Sequence, residues 1–138
     1  MEVYKTKGKK ISGSSFREVH RSALHVYATI RRKTKRRPYV RSIYFSKNKV
    51  FLDLFWHHLF EKQNWRDRIR RVSYFECAIE LIQKSRCEPE SKQNVNRPSE
   101  ILHRFYGVTP DKDYFCIQIK EDKRSGQKFL LSIFPISK

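Results

Sequence analysis

The chain has 138 residues, 38% of them hydrophobic and 14% aromatic, and a formal net charge of +17. That length suits one domain able to bury a single core without staples, and the aromatic content excludes a disordered chain despite the charge. Four glycines leave no Gly-rich phosphate loop, no apolar stretch approaches the ~20 residues of a membrane span, and the start, Met1-Glu2-Val3-Tyr4-Lys5, lacks the apolar region of a secretory signal, so the expected compartment is the cytoplasm.

Residues 1–13 are basic and unpatterned and read as a flexible arm on a single domain spanning 1–138. Ser15-Phe16-Arg17-Glu18 is a capping box. Phe16, Val19, Ala23, Val26, Tyr27 and Ile30 then recur at spacings of three and four, which predicts a helix over 15–33. The helix runs into Arg31-Arg32-Lys33-Thr34-Lys35-Arg36-Arg37, six bases in seven residues. This run is the densest point of a lopsided charge: residues 1–50 carry fifteen Lys or Arg against two acids. Such a field repels itself unless the working partner is a polyanion, and nucleic acid is the first candidate. Arg31, Arg32, Lys33, Lys35, Arg36, Arg37 and Arg41 are therefore candidate nucleic-acid contacts.

Tyr39 to Phe45 is β-rich and predicts a strand, followed by a turn at Lys47-Asn48 and a short strand at Val50-Phe51-Leu52. From Asp53 the period becomes helical, with Leu54, Phe55, His58, Leu59 and Lys62 on one side. Asn64 caps a short helix ending at Arg71, where Arg70 and Arg71 join the candidate contacts. Ser73-Tyr74-Phe75-Glu76 reads as a second capping box, before a helix with the stripe Phe75, Ala78, Ile79 and Ile82. Residues 86–98 are polar, hold two prolines and read as a mobile loop.

The remaining residues predict three antiparallel strands: Ile101–Tyr106, broken by Gly107; Tyr114–Lys120; and Lys128–Phe134, ended by Pro135. Plain alternation puts Phe115, Ile117 and Ile119 on one face with Phe129, Leu131 and Ile133. Lys120, Lys128 and Ser132 then share the other. The class that follows is α+β, with N-terminal helices followed by a small antiparallel sheet. One face of that sheet is open and mixes aromatics with cations, the composition of a single-stranded nucleic-acid platform.

Among the chemistry-bearing residues, Cys77, Cys87 and Cys116 have no C-x-x-C spacing, and Cys77 and Cys116 fall inside apolar patterns as small buried hydrophobes. The acids are scattered among bases, so no metal-ligand set or cofactor is expected. The five histidines are His20, His25, His57, His58 and His103. Metal-free RNA cleavage needs a base for the 2′-hydroxyl proton, an acid for the 5′-oxygen and a cation for the charge growing on phosphate. Histidine suits the first two roles and Lys or Arg the third.

Ser99 to Thr109 (with His103-Arg104-Phe105-Tyr106-Gly107), Phe115 to Asp122 and Gly126 to Pro135 resemble the C-terminal sheet of the phage-associated nucleases of the barnase, EndoU, colicin and RelE-like superfamily. The resemblance implies a RelE/barnase-like fold and a small metal-independent endoribonuclease, of the kind found as toxins of toxin–antitoxin or phage-conflict systems. Its partners would be nucleic acid, RNA first, and an acidic antitoxin or inhibitor protein, with no membrane. Carried across position by position, it points to Arg104, Lys120, Lys128 and Ser132 on the sheet. His58 is then the acid or base, and His103 stays a further catalytic candidate because Arg104 adjoins it. The basic N-terminal half lies outside the resemblance. It fits an RNA-docking extension, or equally an RNA- or DNA-binding protein that uses the basic half and the aromatic sheet face without cutting.

Overall fold

The computed structural model describes residues 2–61 and 64–136. In chain order the elements are β1 (Val3–Lys5), α1 (Phe16–Lys33), β2 (Tyr39–Ser42), β3 (Asn48–Phe51), α2 (Asp53–Glu61), α3 (Trp65–Val72), α4 (Phe75–Lys84), β4 (Glu90–Asn94), β5 (Arg97–Val108), β6 (Tyr114–Asp122) and β7 (Lys128–Ile136). The α+β class agrees with the sequence, but the arrangement differs from helices followed by an antiparallel sheet. Three short strands precede or separate the helices. The sheet is mixed, in the order β1-β5-β6-β7-β3-β2, with β4 also pairing β5. β1 runs parallel to β5 and β3 parallel to β7. Among the described residues, no helix is long and apolar enough to cross a membrane.

Local signals explain most boundaries. Ser15 caps α1 by accepting a hydrogen bond from the Glu18 amide, while the Glu18 carboxylate accepts one from the Ser14 amide. Asn64 caps α3 through the Arg66 amide. The expected second capping box is not formed: Ser73 is the C-cap of α3, its hydroxyl donates to the Arg70 carbonyl, and α4 starts after Tyr74 without a side-chain cap. The β2 strand stops at Ser42 rather than Phe45, because Ser46 and Lys47 take positive φ values of 57° and 67° to close the hairpin onto β3. Lys62, placed on the α2 face by its spacing, lies outside the described residues.

Two segments expected to be loose are strands. Residues 90–94, read as part of a polar mobile loop, form β4 against β5 with a turn at Val95-Asn96. An edge strand pairs through its backbone, so a segment with no apolar alternation gave no periodic signal. The N-terminal segment, read as a flexible arm, begins as β1, paired from Val3 to Lys5 with Tyr106 to Val108. It is held beyond that by Glu80 of α4, whose carboxylate accepts from the Tyr4 hydroxyl (2.8 Å) and from the backbone amides of Lys7 (2.8 Å) and Gly8 (2.9 Å).

The core lies between one sheet face and the helices. Val19 and Ala23 of α1, Phe55 and Leu59 of α2, and Phe75, Ala78, Leu81 and Ile82 of α4 meet Val40, Val50, Phe115, Ile117, Ile119, Leu130 and Ile133. Gly107 does not break β5; it allows close packing. A Cβ there would stand 2.5 Å from the ring of Phe115, which is wholly buried. In β7 a bulge resets the alternation: Gln118 pairs with Ser132 and Ile119 with Leu130, leaving Leu131 unopposed.

Gly107→Ala should therefore lower stability by roughly 1–3 kcal/mol, read as a drop in the urea midpoint, since the Phe115 ring has no free space to move into. Burial opposes charge on Glu80, but the Lys7 and Gly8 amides, the Tyr4 hydroxyl and Lys84 outweigh it and hold its pKa below the ordinary value. A carboxyl depressed in the folded state stabilises above its unfolded pKa and loses that contribution as pH falls through the folded one. Glu80→Gln should thus be destabilising by about 1–3 kcal/mol at pH 7. The gap to wild type should close below about pH 4; an undiminished gap at pH 3 would contradict the ionic origin.

Candidate nucleic-acid interface

The face of the sheet turned away from the core is laid out in cross-strand rows. Arg104, Gln118 and Ser132 form one row, Tyr106, Cys116 and Phe134 the next, and Leu102, Lys120 and Phe129 the row before it. The last row continues through Phe51 of β3 to Tyr39 of β2. Of these residues only Cys116 is buried; the rest are half-buried. The four rings Tyr39, Phe51, Phe129 and Phe134 each carry cations. Lys49 and Arg41 lie 4.7 and 5.5 Å from the Tyr39 centroid. Arg37 lies 4.7 Å from Phe51 and 5.0 Å from Phe129, and Lys120 5.2 Å from Phe129. Arg104 and Arg71 lie 5.8 and 5.9 Å from Phe134. Such pairs contribute about 0.5–1 kcal/mol each when exposed.

At the free edge of β7, this face opens into a groove of about 280 Å³ lined by Phe55, His58, Leu59, Arg71, Leu131, Ser132 and Phe134. Arg71 is tethered on both sides: its Nε donates to Asp67 at 2.9 Å, and its Nη1 donates to the Ile133 carbonyl at 3.2 Å. His58 Nδ1 lies 3.1 Å from Glu61 Oε2, with 41% of the side chain exposed. Arg104 is steadied by Gln118, whose Oε1 accepts from its Nε at 3.2 Å. Lys120 is ion-paired with Glu100 at 3.4 Å. The Tyr106 hydroxyl donates to Glu90; that bond, together with burial, pushes its pKa up to about 12 and keeps it a neutral phenol.

The candidates thus divide. His58, Arg71, Arg104, Lys120 and Ser132 share the open face or its groove. His103 and Lys128 do not. The bulge at Leu131 puts Lys128 on the covered face with Leu130 and Ile133, and the expectation that it joins Lys120 and Ser132 is corrected accordingly. His103 faces the same way and is 8% exposed. Its Nδ1 lies 2.6 Å from the Ser91 hydroxyl and its Nε2 2.8 Å from Glu121. Lys128 donates to the Gly126 carbonyl at 2.9 Å, lies 3.9 Å from Glu121 and sits over the Phe45 ring. This cluster clamps four strands and the β2–β3 turn together at one end of the sheet.

The basic residues divide as well. Arg37 and Arg41 belong to the open face, and Arg37 also pairs with Asp53 at 2.9 Å. Arg31, Arg32, Lys33, Lys35 and Arg36 are exposed at the end of α1 and in the connection to β2, and Arg70 is exposed on α3. Cys77 and Cys116 are fully buried as expected, and desolvation pushes their thiols up to about 11 and about 12, far from a reactive thiolate. Among the described residues, no group of three or more His, Cys, Asp or Glu side chains could hold a metal ion.

Sequence reasoning missed Phe134 and Phe129 as open-face rings, Arg37 as the cation between two of them, and Gln118 as the support for Arg104. The alternation in β6 does place Gln118 beside Lys120; the β7 residues needed the bulge, which nothing in their spacing announces. No family model, curated protein or solved structure matches the chain.

Because His103 bridges Ser91 and Glu121 beneath the surface, His103→Ala should lower the urea midpoint by the equivalent of about 2–4 kcal/mol. Affinity for single-stranded RNA should stay within about twofold under conditions where the variant is folded. Unchanged stability with lost affinity would move His103 to the working surface.

Proposed function

We propose that the chain is a small metal-independent endoribonuclease of RelE/barnase-like type, acting on RNA laid across the open sheet face. The observation that carries this reading is the convergence of Arg71 and Arg104 on one ring, Phe134, which itself lines a groove with Arg71, His58 and Ser132. In the reaction, a base removes the proton of a 2′-hydroxyl and that oxygen attacks the adjacent phosphorus. The bond to the 5′-oxygen breaks as an acid protonates it, leaving a 2′,3′-cyclic phosphate and a 5′-hydroxyl. His58 is assigned proton transfer: an imidazole that donates Nδ1–H to Glu61 keeps Nε2 for the substrate. Arg71 and Arg104 hold the phosphate and meet the charge that grows on it. Ser132 hydrogen-bonds a phosphate oxygen, and Lys120 binds a neighbouring phosphate. Phe129, Phe51 and Tyr39 stack unpaired bases. A toxin role follows naturally, with an acidic inhibitor protein covering the same cations.

Binding without cleavage is favoured by one observation: Lys120 and His58 already have carboxylate partners, Glu100 and Glu61. Incubating labelled mixed RNA with the protein in EDTA separates the two. Cleavage should yield 2′,3′-cyclic ends, and His58→Ala or Arg104→Ala should slow it on the order of 10²–10³-fold while RNA still binds. RNA that stays intact but shifts on a native gel would establish the binding module instead. Equal cleavage by both variants would sink the assigned roles.

A further inference from the structure

We infer that the solvent face of α1 is a docking surface for double-helical nucleic acid, separate from the sheet face. At 3.6 residues per turn, Arg17, Arg21, Leu24, His25, Arg31 and Arg32 fall within an arc of about 120°, and all six are exposed. The opposite side is spent on the core, where Val19 is 1% and Ala23 0% exposed. The one acid of the helix, Glu18, lies off this arc and accepts from the Ser14 amide. Two cationic clusters therefore stand at the ends of one rigid rod, Arg17 and Arg21 at one end and Arg31 and Arg32 at the other, about 22 Å apart at the extremes.

The contrast with the sheet decides the partner. The aromatic residues of α1 are turned inward: Phe16 stacks on His20 at 4.8 Å, and Tyr27 packs against Trp56 at 5.3 Å. Among the residues of this arc His25 supplies the one ring, so the face offers charge at both ends but no platform of successive rings like the one on the sheet. A double helix keeps its bases stacked internally and presents rows of phosphates, which is what such a face can hold. A rod of that length can lie across the wide, shallow minor groove of an A-form stem, its two clusters reaching the backbones on either side while the middle of the rod, Leu24 and Ala28, lies over the groove. A lipid surface fits less well, because it would need the apolar side that the core already buries.

Past Thr34 the chain carries Lys35 and Arg36, both exposed, round to Arg37 on the open sheet face. The basic surface is thus continuous from the duplex site to the stacking rings. Resting on the sheet-face reading above, the substrate class becomes RNA with a duplex stem beside an unpaired segment, the stem on α1 and the single strand on β2, β3 and β7.

The test measures binding by anisotropy, over a salt series, to a blunt RNA duplex, a DNA duplex of equal length and an unstructured single-stranded RNA. The triple variant Arg17→Gln/Arg21→Gln/Arg32→Gln should weaken duplex binding at least about tenfold near 0.1 M salt and flatten the log–log salt slope by about 2–3. Single-strand affinity should stay within about twofold, and the matching Arg→Lys triple should bind duplex nearly as wild type. The RNA duplex should lose more than the DNA duplex; a larger loss for DNA would overturn the assignment of an RNA stem to α1. Unchanged duplex affinity, equal loss for duplex and single strand, or binding to phosphatidylserine vesicles in place of duplex would each overturn the inference. Circular dichroism of both triples controls for the fold. Phe51→Ala/Phe129→Ala should do the reverse, weakening single-strand binding alone. If that pair has no effect, the sheet-face reading fails while the α1 result stands.

Discussion

In β7, Leu131 has no partner in β6. Because side chains alternate along a strand, one extra residue reverses the face of everything on one side of it. Before the bulge, Lys128 and Leu130 point into the core and Phe129 points out; after it, Ile133 points in and Ser132 and Phe134 point out. A regular strand would have buried Phe129 and left Lys128 exposed on the open face. The bulge instead supplies that face with two rings, and with them the seats of Arg37, Lys120, Arg71 and Arg104. Leu131 itself lies beyond the pairing of β7 with β3 and lines the groove shared with α2 and α3.

A chain at +17 must either spread its cations over the surface or give each a partner, and this fold does both. The exposed run at the end of α1 is left to solvent. On the sheet, the cations are spaced by rings, which attract them without neutralising them. The partly buried cations have carboxylates: Asp53 for Arg37, Asp67 for Arg71, Glu121 for Lys128. Arg37, Arg71 and Lys120 each have both a ring and a carboxylate, whereas Arg104 has the Phe134 ring and the Gln118 amide.

The helices were legible in the sequence because their signals are local. The α1 cap at Ser15, the α3 cap at Asn64 and the three-to-four spacing of the apolar residues lie within a few positions of one another. The strands were legible where one face is buried, as in Tyr114 to Lys120, and illegible where pairing rests on the backbone alone, as in β1 and β4. The Ser73 to Glu76 motif had the right residues for a cap, but the preceding helix used Ser73 first. For the site, Arg104, Lys120 and Ser132 followed from alternation or resemblance. The separation of Lys128 from them depended on the bulge, and the burial of His103 on Ser91 of a strand that carries no apolar pattern.

That separation narrows the chemistry. His103 adjoins Arg104 in the sequence and His58 lies two residues after Trp56, yet of these two only His58 lines an open groove. His103 has both ring nitrogens engaged, by Ser91 and Glu121, so a proton taken from a substrate there would first require breaking one of those bonds. His58 has one nitrogen at Glu61 and lines an open groove. On the open face, the bond to Glu90 and burial push the Tyr106 phenol up to about 12, and burial pushes the Cys116 thiol up to about 12, so neither ionises near neutral pH. Under the proposed reading, proton transfer is assigned to His58 and the phosphate to the two guanidinium groups at Phe134. Gln118 steadies one guanidinium and Asp67 with the Ile133 carbonyl steadies the other, so on that reading both would be positioned ahead of the substrate, where stabilisation of a growing charge gains most.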